Sequence, residues 1–209
     1  TDLELAVQQA DLVIEAIPEI LDLKKKVYAE LDRVAPSGTI FATNSSTLLP
    51  SDIAEATGRP ERFLALHFAN TIWLHNTAEV MGHAQTDPAI YDEIVSFAED
   101  IGMVPIQVKK EQPGYVLNSL LVPLLRAASG LLVKEIASAE DIDKTWKIAT
   151  GAPAGPFEIY DTVGLNTAYN VAMTGDETQK EFAAYIKKNY IDKGKLGRAT
   201  GEGFYKYRS

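Results

Sequence analysis

No cysteine occurs among the 209 residues, which excludes a disulfide framework, a thiol nucleophile and a thiolate metal site. A basic run is also missing. With 29 acidic against 20 basic residues the chain carries a net charge of −9, so it has no way to neutralise a row of phosphates, and nucleic acid is excluded as a partner. No stretch approaches the roughly 20 consecutive apolar residues that span a bilayer. The opening residues, Thr1-Asp-Leu-Glu-Leu5, show neither the basic start nor the apolar run of a signal peptide. A cytoplasmic enzyme without a membrane segment or a metal fits these absences, as would many other proteins. Only three histidines are present, so each can be weighed singly.

What is present is ordinary globular material, 46% hydrophobic and 23% charged, enough for one large domain or two small ones. A buried-type strand over 11–17 is followed by a helix over 20–34, whose Val27, Leu31 and Val34 recur at helical spacing beneath a Lys/Glu/Asp outer face. A strand over 39–43 leads to the polar turn Asn44-Ser-Ser-Thr47, and Ser51 reads as the cap of a short helix stopped by Gly58. Strands over 63–68, 78–81 and 104–108 follow. Between the last two, Asp87 and Pro88 open a helix with Ile90, Ile94, Phe97 and Ile101 on one face. Alternating short strands and amphipathic helices predict a mostly parallel α/β sheet. After the polar linker at 109–114 the character changes. No convincing strand occurs beyond Tyr115, and the segment around 120–132 is apolar nearly all round, interrupted at Pro123. The expected architecture is a partial Rossmann-type α/β domain over 1–108, followed by an all-α domain over 113–209.

Ligands of α/β sheets sit at the carboxyl ends of the strands. Glu19 and Lys24 follow the first strand here, Asn44 and Ser46 the second, and His67 and Asn70 close the third. The unperturbed imidazole pKa near 6.5 suits His67 to proton transfer. Glu79 stands between Ala78 and Val80 in a half-buried strand, where a carboxylate is costly unless paired. His67 and Glu79 therefore form a candidate base and orienting carboxylate. Each also has a plainer reading: a satisfied structural histidine, a strand-end surface carboxylate, a turn serine at Ser46 and a packing residue at Asn118. His75 and His83 read as solvent-side loop residues.

Seven segments, in order, resemble motifs of the L-3-hydroxyacyl-CoA dehydrogenases: Leu12-Val-Ile-Glu-Ala-Ile-Pro-Glu19, Asn44-Ser-Ser-Thr-Leu48, His67-Phe-Ala-Asn70, Ala78-Glu-Val80, Pro113-Gly-Tyr-Val-Leu-Asn118, Gly155-Pro-Phe157 and Thr200-Gly-Glu-Gly-Phe-Tyr205. The resemblance implies oxidation of an L-3-hydroxyacyl-CoA to the 3-ketoacyl-CoA with NAD, as in fatty acid metabolism. His67 would take the hydroxyl proton and Glu79 would orient it. Ser46 would lie near nicotinamide and substrate, and Asn118 would reach the reacting oxygen. Asn44, Glu19, Lys24 and Asn70 would contact the cofactor beside the backbone of Ala16 and Ile17. The helical domain would supply a homodimer contact.

Three departures qualify this. The family's first βαβ unit, with its Gly-rich pyrophosphate turn, is missing from this sequence, which suggests a truncated chain; Gly201-Glu-Gly203 follows no strand and is no substitute. Where relatives often have proline after the third strand, this chain reads Thr71-Ile-Trp-Leu-His-Asn76, a loop placed to shape acyl-chain choice. Ala199 stands where many relatives have a lysine, so no role is carried to it. Two other readings stay open: a dehydrogenase of a small hydroxy acid on the same fold, and an inactive dimerisation fragment.

Overall fold

The computed structural model describes residues 2–207, which cluster into two units, Thr1–Ser119 and Leu120–Ser209. In the first unit the elements run α1 (Leu3–Val7), β1 (Leu12–Glu15), α2 (Leu21–Val34), β2 (Ile40–Thr43), α3 (Pro50–Ile53), β3 (Phe63–Phe68), β4 (Thr77–Met81), α4 (Pro88–Asp100) and β5 (Val104–Val108). The strands form one sheet in the order β1-β2-β3-β4-β5, parallel throughout except between β3 and β4, which run antiparallel. The Rossmann-like layering expected from the alternation is thus present.

Side chains alternate between the two faces of a strand, and both faces here are covered. Ile40, Ala42, Leu64, Leu66, Ala78 and Val80 pack beneath Ile90, Ile94 and Ala98 of α4. Phe41 and Phe63, from the opposite register, pack with Val7, Tyr28, Leu31 and Ile53 from α1, α2 and α3. β1 is an edge strand with Ile14 exposed, not the buried strand its composition suggests, because only β2 pairs with it.

The starts of α4 and α3 contrast in how far local chemistry sets them. The Asp87 side chain accepts from the Ala89 amide, and Pro88 occupies the first turn. Ser51 does not cap α3: the helix begins one residue earlier at Pro50, whose missing N–H needs no partner, and the Ser51 amide donates to Glu111 instead. On α4 the buried face is Ile90, Ile94 and Ala98, while Ile101 lies beyond the last turn and is exposed.

In the second unit the described residues form helices and 3₁₀ turns, with isolated bridges but no strand. Helix α5 (Leu117–Val133) begins in the first unit and runs through Pro123 without a break; α6 (Ala139–Thr150), α7 (Pro156–Val163), α8 (Leu165–Met173) and α9 (Glu177–Asn189) follow. The expected interruption at Pro123 does not occur. Proline removes one intrahelical bond, and the flanking turns keep their helical form. Phe157, Leu165, Phe182 and Ile186 form the core. Asp143 accepts the amides of Phe157 and Glu158 at the start of α7, and Asp161 accepts those of Phe204 and Tyr205. The Gly-Pro-Phe and Gly-Glu-Gly-Phe-Tyr motifs are accordingly anchored by two buried aspartates. Gly197, at φ +107°, lies so close to Asp161 that a Cβ would sit 2.3 Å from its carbonyl oxygen. Among the described residues no helix is long and apolar enough to cross a membrane.

The burial pattern of α4 is testable. Ile94→Ala should lower stability by roughly 2–5 kcal/mol, whereas Ile101→Ala should change it by less than about 0.5 kcal/mol. Urea unfolding followed by circular dichroism separates the two, and equal losses would mean that another face of α4 is buried.

Candidate active site

Because β3 and β4 are antiparallel, His67 and Glu79 are direct cross-strand partners. Side chains paired in this way project from the same face about 5 Å apart. The His67 Nδ1 lies 2.9 Å from Glu79 Oε2, with both side chains almost sealed from solvent. A carboxylate can only accept, so the imidazole carries a hydrogen on Nδ1 and presents Nε2 as the free base.

Glu79 is also fixed from a second direction. Its Oε1 accepts the amides of Val116 and Leu117 at 2.8 and 2.9 Å, at the very start of α5. These are unsatisfied helix N-terminal donors, at the positive end of the helix dipole. Burial alone would push Glu79 up, but the hydrogen bonds from His67, Leu117 and Val116 outweigh it and hold the carboxyl below its ordinary value. The turn that delivers those amides uses two left-handed residues in succession, Gly114 at φ +80° and Tyr115 at φ +54°. At Gly114 a Cβ would also meet Asn118 Cβ at 3.2 Å, so glycine suits the position twice over. The Tyr115 ring stacks on His67, with centroids 4.7 Å apart and planes 22° from parallel. Asn118 belongs to the same first turn of α5, its amide donating to Gly114.

A second polar cluster occupies the carboxyl ends of β1 and β2. Lys24, one of the strand-end candidates, is buried. Its Nζ lies 2.6 Å from Glu15 Oε1 and 3.4 Å from Glu19 Oε2, and it also donates to the Ile17 carbonyl. It faces inward because α2 packs with Lys24, Tyr28 and Leu31 at three- and four-residue spacing against the sheet. The other Glu15 oxygen accepts from Thr43 Oγ1 at 2.8 Å. Glu19 Oε1 gathers the Ser45 and Thr47 hydroxyls and the amides of Ser46, Thr47 and Leu48, so it anchors the whole turn after β2. Burial works against its charge, but the donors from Ser45 and Thr47 and the Lys24 ammonium prevail and hold Glu19 at about 2. Asn44 joins the two clusters, its Oδ1 accepting the Phe68 amide at 2.9 Å.

Of the residues singled out from sequence, His67, Glu79 and the first turn bearing Asn118 come together, and Glu19, Lys24, Ser46 and the backbone of Ile17 form a neighbouring group. Ala16, Ser46 and Asn70 are exposed at these strand ends. Sequence reasoning passed over Glu15, Thr43, Ser45 and Tyr115. The available signal for Glu15 was a lone carboxylate in an apolar strand; for Tyr115 it was an aromatic residue between a glycine and an apolar helix. His75 is exposed, and His83 Nε2 is engaged with the Pro60 carbonyl, so neither joins the group.

Similarity to known proteins extends along the whole chain. Residues 1–112 match the family model described as 3-hydroxyacyl-CoA dehydrogenase, NAD binding domain, and residues 114–207 match the C-terminal domain of the same enzymes. The chain belongs to the 3-hydroxyacyl-CoA dehydrogenase family. As a member it is an NAD-dependent oxidoreductase. It is 40% identical to the mitochondrial hydroxyacyl-coenzyme A dehydrogenase of Mus musculus over 212 aligned positions, covering 100% of this chain and 67% of that protein. It resembles the structure of a diketoreductase studied for dual catalysis of dicarbonyl compounds, at 66% identity and a TM-score of 0.94, covering 99% of this chain and 73% of that one. The (S)-3-hydroxybutyryl-CoA dehydrogenase of Ralstonia eutropha is 31% identical with a TM-score of 0.82, covering 100% of this chain and 74% of that one.

The depressed Glu19 value carries a sign. A carboxyl held near 2 in the fold and near its ordinary 4.5 when unfolded contributes stability above about pH 4.5, which is lost as pH falls toward 2. Glu19→Gln should therefore be less stable than the parent at pH 7, with the gap closing as pH falls. Melting temperatures at pH 7, 5 and 3 read this out, and a gap independent of pH would deny Glu19 its charge-dependent anchoring.

Proposed function

We propose that the chain performs NAD-dependent oxidation of an L-3-hydroxyacyl-CoA to the 3-ketoacyl-CoA, with His67 as general base and Glu79 as its orienting partner. The single observation that carries this is the buried 2.9 Å contact between His67 Nδ1 and a carboxylate that is itself pinned by two helix amides. With Nδ1 committed, Nε2 is the nitrogen left to take the hydroxyl proton as the carbinol C–H bond is lost as hydride and the C=O bond forms. The imidazolium that results is stabilised by the charge on Glu79. When bound, NAD supplies the hydride acceptor. The strand-end groups suit the nicotinamide end of that cofactor: the carboxylates of Glu15, Glu19 and Glu79 complement a cationic ring, and the Asn44 amide, tied to Phe68, offers a polar group nearby. Ser46 and Asn118 are assigned to substrate, and Ala16, Ile17, Glu19, Lys24, Asn44, Ser46 and Asn70 to the cofactor. Lys24 acts by holding Glu15 and Glu19, since its own ammonium is enclosed.

In the same proposal, residues 1–108 form the cofactor-binding part and 113–209 the substrate and dimerisation part, and the location is cytoplasmic on composition, although the mouse relative is mitochondrial by name. The loop Thr71–Asn76, with Trp73 and Leu74 largely exposed, selects the acyl group. A second reading is favoured by the 66% identity to a diketoreductase: the same imidazole, protonated, would give its Nε2 proton to a carbonyl of a dicarbonyl compound as hydride arrives. The dyad serves either direction.

His67→Ala should lower kcat on the order of 10²–10⁴-fold with 3-hydroxybutyryl-CoA and NAD, and unchanged turnover would end the acid–base assignment. Assays with acetoacetyl-CoA and with a 1,3-dicarbonyl compound lacking CoA separate the readings; turnover confined to the latter would replace the thioester assignment with the second one. The homodimer is tested by sedimentation. Leu131, Ile136 and Ile148 are exposed apolar residues of the helical unit, and Ile148→Asp should convert the expected dimer to monomer. A monomeric parent protein at micromolar concentration would discard the dimer.

A further inference from the structure

We infer that Tyr115 is the positioning residue for His67, acting through the face of its ring. The inference rests on reading His67 as the proton acceptor. The hydrogen bond to Glu79 lies in the plane of the imidazole and fixes one edge of it. One hydrogen bond does not stop the ring turning about its Cβ–Cγ bond, a motion that would loosen the Nδ1 contact and swing Nε2 away from a bound hydroxyl. The stacked tyrosine stops that motion from the side, at 4.7 Å between centroids and 22° between planes.

Tyr115 is itself held rigidly. It is fully buried against Ala65, Met81 and Val108, and its amide donates to the Gln112 carbonyl at 2.9 Å. Its positive φ is adopted at a residue that is not glycine, an uncommon conformation that persists only when surroundings over-determine it. The same backbone turn aims the next two amides, those of Val116 and Leu117, at Glu79. One residue thus places the ring against the base and the donors against the base's partner.

The hydroxyl is not what holds the ring. It is buried and has no hydrogen-bond partner among the described residues. Burial, and then the charges of Glu19, Glu79 and Glu15, push it well above its ordinary value, so it stays neutral. The negative face of the ring also favours the imidazolium that His67 becomes on accepting a proton.

The discriminating pair is Tyr115→Phe and Tyr115→Leu in the intact enzyme; neither is β-branched, so each meets the left-handed backbone on similar terms. Tyr115→Phe should keep kcat within about twofold, and Tyr115→Leu should lower kcat on the order of tenfold, the scale of one aromatic pair, with KM for NAD and substrate little changed. Nitrogen-15 signals of the His67 ring, recorded without substrate, should show one tautomer in the parent and the phenylalanine variant and an averaged ring in the leucine variant. Should the leucine variant unfold, Tyr115→Met fills the core without a ring and takes its place. Parent-like kcat and tautomer in the ringless variant would overturn the inference. So would a phenylalanine variant impaired as far as leucine, which would assign the role to the hydroxyl. Because the ring signals need no turnover, they separate failure of this inference from failure of the proposed reaction.

Discussion

Glu79 is the point on which the site turns. Two oxygens satisfy three donors: the buried imidazole of β3 and two amides, Val116 and Leu117, at the start of α5. Each demand reinforces the others. The helix amides keep the carboxylate ionised, the ionised carboxylate keeps the hydrogen on His67 Nδ1, and that choice of tautomer leaves Nε2 basic. A buried carboxylate with a single partner would be costly to ionise; with three donors its charge becomes the most stable state of the group. The antiparallel step from β3 to β4 is what makes this possible, because it sets residues twelve apart in sequence directly across from one another.

A second set of constraints prepares the ends of β1 and β2. The Glu15–Lys24 pair is nearly solvent-free, and ion pairs in such surroundings seldom add net stability. Its consequence is geometric: Lys24 reaches Glu15, Glu19 and the Ile17 carbonyl at once, and Glu19 in turn collects the turn from Ser45 to Leu48. Ser46 therefore stands on a loop whose backbone is fixed, although its own side chain is exposed. Rigid placement of an exposed polar group at a strand end is what a cofactor or substrate contact requires.

The elements were legible in the chain where local chemistry and burial agree. Asp87-Pro88 and the helical spacing of Ile90 and Ile94 mark α4, and the nearly unbroken apolar run of β3 matches a sheet covered on both faces. Glu79 stood out because a carboxylate between Ala78 and Val80 needs a partner. Legibility failed where tertiary contacts override local preference. Lys24 reads as a strand-end ligand contact, yet its ammonium is taken up by Glu15, Glu19 and the Ile17 carbonyl. Ser51 looks like a cap, yet Pro50 starts the helix. Pro123 looks like a break, yet α5 continues through it. Tyr115 gave no sign of its stacking, because aromatic contact across a gap of 48 residues leaves no periodic trace.

Chemistry and selection are divided along the same strand pair. In the proposed function the dyad moves one proton between Nε2 and an oxygen, a task indifferent to what lies beyond the reacting carbon, so it would treat a thioester and a free dicarbonyl compound alike. Whatever distinguishes them must act outside β3 and β4 yet close to His67. In the proposed function that element is the loop joining the two strands. Its turn is tightened by Thr71 at φ +57°, whose carbonyl accepts from Leu74 and His75, and it lifts Trp73 and Leu74 into the open, 78% and 71% exposed. Large apolar groups left uncovered beside a reaction centre favour an apolar substrate portion over the phosphates of a coenzyme. A hinge of this kind allows the loop to vary without moving either member of the dyad, since the register of β3 and β4 is set by their own pairing and by α5 rather than by the connection between them. Relatives that share the dyad can therefore differ in what they admit.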